Sequence, residues 1–544
     1  MMKKRKTLQL WQATLCLMTA ALMLGSCGKK DHANLNYDYL PVQMSSGDSW
    51  SIIDKDGKEV VKEEYPADAS LSRISSEGAY WVKQDGKYQL YNLDNPKRPV
   101  TDEEFTRATN FCGGVAVVSR PNEQIRIIDV KGKTVATLNK DIKRCGRFYE
   151  EGYAVFQTVD DKQGLIDSKG HIVVQPNFAF VTNPNDGLFM AFHTESEKIH
   201  IYSIKGEMMG EIDINKYHLL NYEISEGKIL VRDAEDNEGH TIVLDSKGKK
   251  LFDIKKSKEG NAANGNYLDG FLTFKDGNGK EGVANDKGEV VIRPKYELMA
   301  NYGNGLFTAK KGGKFGIVNE KDETIIDFDY DDTGAYMLGD NFLVKDGNSW
   351  LLLGKDGKEL TSFDVLSTVF DNYAEFVDVT GITKAIVKFF EDKEQLQTAD
   401  KVAKLFELDT DKYHNRSYVS RTLDIDGKVK GDYEVWFDGS MAEEKTHQQQ
   451  VNDGWFTYNQ TVSNGWQWTQ ALPRRISGKM NIEDSAISTD DLYQSLCKQL
   501  ADGRKKISDG TYSKNVKIAG KTLECRTTLT QRNQQIDYEI TFNK

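Results

Sequence analysis

One phrase recurs along this chain, and its period limits the folds that the chain can adopt. The phrase is two short apolar runs around a tight polar turn, as in LIDSKGHIVV at residues 165–174. Nine such turns follow one another at spacings of 39, 36, 38, 36, 42, 40, 34 and 35 residues, a period near 38. A period of this size predicts a solenoid, a propeller or another array of stacked units. The turn centres are Gly57, Pro96, Gly132, Gly170, Gly206, Gly248, Gly288, Asp322 and Gly357.

Each phrase has the residues of a β-hairpin. In IIDKDGKEVV at residues 52–61, the Asp54 side chain can bond the backbone that follows it, and Gly57 can adopt a positive φ. The runs on both sides are rich in β-branched residues, which favour strands. With another strand upstream, each repeat is predicted to be a meander of about three to four short antiparallel strands. One such unit cannot bury its apolar face alone, so neighbouring units must stack.

These residues resemble the WG β-repeat family, in which a Trp-Gly pair precedes an apolar strand, an Asp-x-x-Gly turn, a second strand and a Pro-x-Tyr segment. The resemblance covers residues 41–360, although the pair is degenerate: Trp50-Ser51 keeps the Trp and Glu281-Gly282 keeps the Gly. The resemblance implies an all-β repeat domain. We expect it to be β-propeller-like with about eight blades, and an open, twisting β-array is the alternative.

The pattern changes after residue 360, and we predict an α+β domain of unassigned family over residues 361–544. Apolar residues at helical spacing between Phe363 and Phe376 predict a first helix. A second helix is expected near residues 383–407, and a third from residue 488 or 489. The remaining segments, including WFTYNQTVSNGWQW at 455–468 and the end of the chain, alternate as strands do.

The N-terminus has the pattern of an export signal. Four basic residues precede an apolar stretch that ends in Leu24-Gly25-Ser26-Cys27. This ending resembles the lipobox of bacterial lipoproteins, which implies a signal peptide at residues 1–26 and fatty acylation of Cys27. Residues 27–40 are then a tether, and Gly28 after the cysteine resembles the sorting signal for the outer membrane. The periplasmic and the cell-surface face both stay open.

The charge of the chain limits its partners. Without the four basic residues of the signal, 68 basic residues stand against 83 acidic ones, a net charge of −15. Such a surface argues against nucleic acid as a partner. The expected contacts are the membrane through the lipid anchor, a protein partner in the envelope and, as an alternative, a glycan.

Cys112 and Cys145 stand before a glycine in consecutive repeats, so they are expected to lie side by side. In an oxidising compartment they could form a disulfide. Two buried small apolar residues are the equally weighted alternative.

No sequence motif of a nucleophilic enzyme, a nucleotide-binding loop or a zinc site is present, so we predict no enzymatic activity, no cofactor and no metal. The most suggestive cluster is aromatic. Trp and Tyr faces can stack on sugars or hold the apolar anchor of a partner. The alternation in WQW favours the other reading, in which Trp466 and Trp468 lie on one buried sheet face. The residues considered for ligand contact are Trp455, Tyr458, Trp466 and Trp468.

From the sequence we therefore expect a non-enzymatic envelope lipoprotein that uses a β-repeat scaffold for protein–protein binding at the outer membrane. A cell-surface carbohydrate-binding lipoprotein with a C-terminal aromatic platform is the alternative.

Overall fold

The computed structural model describes residues 36–543 of the chain, apart from 150, 194–195, 236–239, 255–260, 264, 368–372, 377–378, 453–456, 484–486, 488 and 533–534. Cys27 and the predicted signal peptide lie outside these residues. The chain forms two compact units. The first contains residues 36–120 and 124–376, and the second contains residues 121–123 and 377–543.

The first unit is a β-propeller whose described strands form nine small sheets, one more than the predicted eight or so. Its first strands are β1 (Asn36–Tyr37), β2 (Tyr39–Gln43), β3 (Trp50–Asp54), β4 (Glu59–Tyr65), β5 (Ser70–Leu71), β6 (Ala79–Gln84), β7 (Lys87–Asn92), β8 (Glu104–Phe105), β9 (Arg107–Ala108), β10 (Val115–Ser119), β11 (Arg126–Asp129), β12 (Thr134–Thr137), β13 (Ile142–Gly146), β14 (Tyr153–Thr158), β15 (Gln163–Asp167), β16 (Ile172–Phe178), β17 (Phe180–Val181), β18 (Leu188–Phe192), β19 (Lys198–Ser203) and β20 (Met208–Asp213).

The propeller continues with β21 (Tyr217–Leu219), β22 (Lys228–Asp233), β23 (Ile242–Asp245), β24 (Lys250–Asp253), β25 (Asn261–Ala263), β26 (Phe271–Asp276), β27 (Glu281–Asn285), β28 (Val290–Tyr296), β29 (Leu298–Gly303), β30 (Leu306–Lys311), β31 (Lys314–Asn319), β32 (Thr324–Tyr330), β33 (Asp332–Leu338), β34 (Asn341–Asp346), β35 (Ser349–Leu353), β36 (Glu359–Phe363), β37 (Val365–Leu366) and β38 (Tyr373–Glu375). Blades 2 to 9 start at β5, β9, β13, β17, β21, β25, β29 and β33, with four consecutive strands each, and blade 1 is β37-β2-β3-β4.

The blades close into a ring. Each boundary between neighbouring blades is filled by a hydrophobic core, and an open array of nine blades would have only eight such boundaries. The ninth core joins the last blade to the first, so the open array is excluded. One buried residue from each side of every boundary is given by Ile52/Leu71, Trp81/Ala116, Val117/Phe156, Leu165/Phe189, Ile201/Ile229, Val243/Phe274, Val283/Phe307, Ile317/Phe342 and Leu343/Ile53.

The turn phrase forms the predicted hairpin. Asp54 Oδ1 accepts hydrogen bonds from the backbone N–H groups of Asp56 at 3.0 Å and Lys58 at 2.9 Å. Gly57 has a φ of 79°, and the strand register shifts between Ile52 and Ile53, as a bulge beside the turn requires. The same bonds recur at Asp129, Asp167 and Asp245. The local chemistry of one phrase therefore builds the last two strands of each of these blades.

Most turn glycines also pack on the neighbouring blade but Gly206 does not, which gives a matched pair of substitutions. Gly206 and Gly248 have similar φ values of 84° and 77°. A Cβ on Gly248 would lie 2.2 Å from the Glu211 carbonyl oxygen, whereas a Cβ on Gly206 meets nothing within 4 Å. Both Ala variants carry the same left-handed strain, so Gly248→Ala should destabilise the ring by about 1–3 kcal/mol more than Gly206→Ala. Urea denaturation of the two variants checks this, and equal midpoints would contradict it.

The segment that we expected to form a helix between Phe363 and Phe376 is strand in its described parts. Val365–Leu366 pairs with β2 and completes blade 1, and Tyr373–Glu375 pairs with β13 of blade 4. The helix prediction was wrong for the described parts, because their apolar residues fill cores of the ring. Phe363 packs between the last and the first blade, and Ala374 packs in the core between blades 3 and 4. The first unit accordingly extends to Phe376.

The second unit is the predicted α+β fold. Its helices are α1 (Thr380–Glu394), α2 (Ala399–Leu405), α3 (Thr410–Tyr413) and α4 (Thr489–Ala501). Its strands are β39 (Tyr418–Ile425), β40 (Val429–Phe437), β41 (Ala442–Asn452), β42 (Thr457–Trp468), β43 (Pro473–Ile482), β44 (Lys505–Ser508), β45 (Thr511–Ile518), β46 (Lys521–Arg532) and β47 (Gln535–Asn543). Seven of them form one sheet in the order β39-β40-β43-β47-β46-β45-β44, and β41 and β42 form a separate hairpin.

One face of the large sheet is covered by helices. The helix predicted to begin at residue 488 or 489 begins at Thr489, and Leu492, Leu496 and Leu500 are fully buried as its apolar face predicts. The predicted helix over residues 383–407 is instead two helices, α1 and α2. Ile386 and Phe390 of α1 join α4 in the same hydrophobic core.

Candidate functional site

The hairpin β41–β42 holds the aromatic residues that the sequence singled out. Trp455 lies outside the described residues, and Tyr458 is placed on β42 opposite Val451. Trp466 and Trp468 lie on β42 opposite Glu444 and Ala442. Because alternate residues of a strand share a face, these two Trp residues lie on the same side of the hairpin.

Both of these Trp side chains are half-buried. Trp468 packs against the edge of the domain core, with its ring 6.4 Å from that of Tyr413. Trp466 stacks on His414, with ring centroids 4.3 Å apart and planes 20° from parallel. In the described part of the chain, the hairpin has too few neighbouring elements to bury both rings. The two residues therefore differ in role: Trp468 contributes to packing, and Trp466 lies at the surface.

Trp466 lines a cavity of about 540 Å³ at the base of the hairpin. Asp438 and Ser440 follow β40, and Asn415 follows α3, so the cavity is built from three separate segments. The rest of the lining is Gly439, Ala442, Glu443, Glu444, Thr469 and Ala471.

Backbone and side-chain bonds fix the floor of this cavity. Asp438 Oδ1 accepts a hydrogen bond from the Leu472 N–H at 2.8 Å, and the Thr469 hydroxyl donates to the Ser440 carbonyl at 2.5 Å. His414 is held by a 2.7 Å contact between Nδ1 and the Asp411 carbonyl. The cavity thus combines an aromatic wall with carboxylate, amide and hydroxyl groups, and none of the described residues that line it is basic.

Sequence reasoning found Trp466 but missed His414, Asn415 and Asp438. Asparagine and aspartate are frequent in turns, so nothing in their local sequence marks them as site residues. Their shared position depends on how α3 and β40 meet the base of the hairpin.

Cys112 and Cys145 pack in the same hydrophobic cluster, as their positions in consecutive repeats suggested. Cys145 is nevertheless a free, fully buried thiol, so the disulfide with Cys112 is not formed. It occupies the core as a small apolar residue, and burial raises the pKa of its thiol to about 12.

We therefore expect Cys145 to react with an alkylating reagent at neutral pH only after the protein is unfolded. Peptide mapping without a reductant, on protein labelled before and after denaturation, measures this. Cys145 should carry the label only in protein that was denatured before labelling. A linked Cys112–Cys145 peptide would contradict the free thiol.

The propeller offers a second kind of surface, at the turns between the first two strands of its blades. Carboxylates there accept hydrogen bonds from backbone N–H groups of the next blade. Asp186 accepts from Gly227 at 3.0 Å, and Asp269 accepts from Asn304 at 2.6 Å. Glu151 and Glu226 make the corresponding bonds to Gly187 and Gly270. These bonds tie neighbouring turns together, so this part of the ring is a stiff surface.

The last strand of the blades carries a further repeated feature. Three residues after the turn centre, eight of the nine blades expose an apolar side chain. This outer-edge set comprises Val60, Val135, Val173, Met209, Leu251, Val291, Ile325 and Leu360. Apolar side chains left in water at the edge of a sheet are candidates for contact with another protein.

Three segments of the chain, residues 50–88, 164–192 and 282–315, match the WG containing repeat family. The chain carries WG repeats at these three places. Two of the matches begin at the glycine of the degenerate Trp-Gly pair and one at Trp50. No curated protein matches the sequence significantly.

Solved structures resemble the chain only distantly. A eukaryotic initiation factor matches at 11% identity and a TM-score of 0.44, over 61% of this chain and 96% of that one. BamB from Moraxella catarrhalis matches at 11% and 0.29, over 50% and 96%. The WD40 β-propeller domain of Doa1 matches at 11% and 0.24, over 45% and 90%. The fold assignment depends on the closed ring of nine blades and not on these likenesses.

The geometry explains the Trp-Gly pair of the WG repeat. A Cβ on Gly164 would lie 2.3 Å from the Val174 carbonyl oxygen, so the last strand can approach only a glycine there. Trp50 is buried, and its indole N–H donates to the Ala69 carbonyl of the next blade at 2.8 Å. Gln163 replaces this Trp and accepts a hydrogen bond from the Val181 N–H of the next blade at 2.9 Å. The Trp position of these WG repeats thus joins blades and does not form an exposed row.

The part of the chain that the structure describes was compared with the patterns of a metal-ligand cluster and of a membrane-spanning helix. No group of three or more His, Cys, Asp or Glu residues there could hold a metal ion. No described helix is long and apolar enough to cross a bilayer.

Proposed function

We propose that this chain is a non-enzymatic lipoprotein, anchored to the outer membrane through Cys27, whose propeller is a rigid scaffold for protein–protein binding. The observation that carries the proposal is the outer-edge set of exposed apolar side chains, repeated on eight blades. Protein interfaces are built around apolar anchors, and a closed ring holds such anchors in fixed positions. The resemblance of residues 24–27 to a lipobox supports the anchor.

Blades 5 and 6 offer one exposed apolar part of this edge. Met208 and Met209 of β20 and Leu251 of β24 are exposed on neighbouring blades. A Cβ on Gly210 would lie within 2.5 Å of the Lys247 backbone, so the outer strand of blade 5 lies against the turn of blade 6. Flexible methionine side chains adapt to the shape of a partner.

Cross-linking in intact cells followed by mass spectrometry tests the scaffold. We expect a reproducible protein partner with the native chain, loss of that partner with Cys27→Ala, and strong reduction with Met208→Ser combined with Leu251→Ser. Glu207→Ser is the matched control, because Glu207 is an exposed polar residue beside Met208. The proposal fails if the partner spectrum of the native chain equals that of an unrelated lipoprotein.

Carbohydrate binding is the second candidate, and the Trp466 cavity is the observation that favours it. A Trp face can stack on a sugar ring, while Asn415, Asp438 and Ser440 can bond its hydroxyl groups. The carboxylates and the lack of a basic lining residue favour a neutral sugar or an amino sugar over an acidic one.

Binding to a panel of immobilised polysaccharides tests this candidate. Trp466→Ala should weaken binding by about tenfold or more, since losing an aromatic stacking face costs upwards of about 1.4 kcal/mol. Trp436→Ala is the control, because Trp436 is a half-buried Trp of the same domain that stacks on Tyr418 away from the cavity lining. Equal binding by both variants would remove the cavity from consideration.

A further inference from the structure

The hairpin β41–β42 stands apart from the sheet of its domain. Its ten paired positions run from Ala442↔Trp468 to Asn452↔Thr457, and no other described strand joins it. Residues 443–450 and 459–461 are all exposed. An isolated two-stranded hairpin is marginally stable in water. An arm of this length gains stability if something covers one of its edges.

The two edges of the arm differ in how they are protected. Strand β41 carries Glu443, Glu444 and Lys445, and such charges discourage pairing with another strand. Strand β42 has the sequence TYNQTVSNGWQW, with no charged residue and no proline in twelve positions. Its Thr, Tyr and Val residues favour strands. The edge of β42 therefore has the backbone groups and the side chains of a strand that accepts a partner.

We propose that the partner is a second copy of this chain, with the two β42 strands paired antiparallel around a two-fold axis at Gln460. In this register Gln460 lies opposite itself, Asn459 opposite Thr461, Tyr458 opposite Val462 and Thr457 opposite Ser463. The Gln460 pair and the Asn459–Thr461 pairs can bond side chain to side chain, a cross-strand combination that stabilises a sheet. A two-fold axis requires such a self-complementary strand.

The limits of this pairing are set by the arm itself. Beyond Ser463, Gly465 has a φ of 87°, and the register between β41 and β42 shifts there. A bulge twists an edge away from a straight partner. Pairing is therefore confined to residues 457–463.

The net charge of the chain is compatible with self-association at this neutral segment. The chain has a formal net charge of −11, or −15 without its signal, so two copies repel one another over most of their surface. The neutral segment 457–463 lets two copies meet without opposing like charges. The inference depends on the hairpin alone and is independent of the proposed scaffold and glycan functions.

Disulfide trapping in cells that produce the full chain tests this dimer, and whole-cell protein is analysed. Cys at position 460 would face itself across the axis, at the Cα separation of about 4.5–5.5 Å that antiparallel pairs have and disulfides accept. Gln460→Cys should give at least about tenfold more disulfide-linked dimer than Gln449→Cys, because paired thiols have a much higher effective concentration. Gln449 is the matched control, since it is exposed and lies opposite Gln460 on the other strand.

A second variant tests the edge itself. Thr461→Lys, added to Gln460→Cys, places two positive charges beside the axis and should return the dimer yield to that of Gln449→Cys. Three outcomes overturn the proposal: no dimer with Gln460→Cys, equal dimer with both cysteine variants, or a linked product whose mass shows a different protein.

Discussion

Glu394→Ala is expected to lower the free energy of unfolding of the C-terminal unit by about 3–5 kcal/mol, the cost of removing one partner of a buried ion pair. The Glu394 side chain is 0% exposed and that of Arg504 is 4% exposed. Arg504 donates to the Glu394 carboxylate through two nitrogens, Lys514 Nζ lies 2.5 Å from it, and the Thr527 hydroxyl donates at 3.0 Å. The substitution leaves the buried Arg504 charge without its carboxylate.

Hydrogen exchange of peptides from α1 and β46 measures this loss locally, in a chain with two folded units. Glu391→Ala is the control, because Glu391 is an exposed carboxylate on the same helix, and its loss should change the free energy by less than about 0.5 kcal/mol. Equal exchange in the two variants would mean that the buried cluster does not hold the domain together.

Phe363→Ala is expected to cost about 3–5 kcal/mol, and its effect should appear at both ends of the propeller sequence. Phe363 is 1% exposed and packs with Leu40, Val42 and Ile53 of the first blade as well as with the last blade. The cavity that Ala leaves therefore opens the boundary that closes the ring. We expect faster hydrogen exchange in peptides of blade 1 and of blade 9.

Leu360→Ala tests the same strand without the core. Leu360 is 44% exposed, so its loss should change stability by less than about 0.5 kcal/mol. If Phe363→Ala lowers the protection of blade 9 while blade 1 keeps its exchange rates, the result would contradict closure of the ring through Phe363.

The repeated part of the fold could be predicted from the sequence because its determinants are local. Asp54 and Gly57 form the turn through bonds within five residues, and the same bonds recur at Asp129, Asp167 and Asp245. The helix at Thr489–Ala501 was equally accessible, since its buried leucines lie on one face of a short segment.

The segment after residue 360 shows where local reasoning fails. The apolar residues between Phe363 and Phe376 have helical spacing, but two of them, Val365 and Leu366, form a strand that pairs with Gln43 and Val42. Their partners are more than three hundred residues away in the sequence, so the local pattern could not reveal the pairing. This long-range strand completes blade 1.

The residues of the candidate sites also divide into those that the local sequence could reveal and those that it could not. Trp466 could be found because Trp is rare and suits ligand contact, whereas its neighbours His414 and Asp438 come from other segments. The pairing of Cys112 with Cys145 seemed plausible from their spacing. Burial of Cys145 in an apolar cluster, a property of packing between blades, gives it the role of a core residue.

The sequence by itself determined the repeat, its hairpins and the α+β character of the second unit, because turn chemistry and hydrophobic periodicity act over a few neighbouring residues. Only the tertiary structure decided that nine blades close into a ring, that the Trp position of the WG repeat joins blades, and that Trp466 lines a cavity. Each of these features depends on contacts between segments that are distant in the chain, and such contacts form where the packing of whole blades and helices brings the segments together.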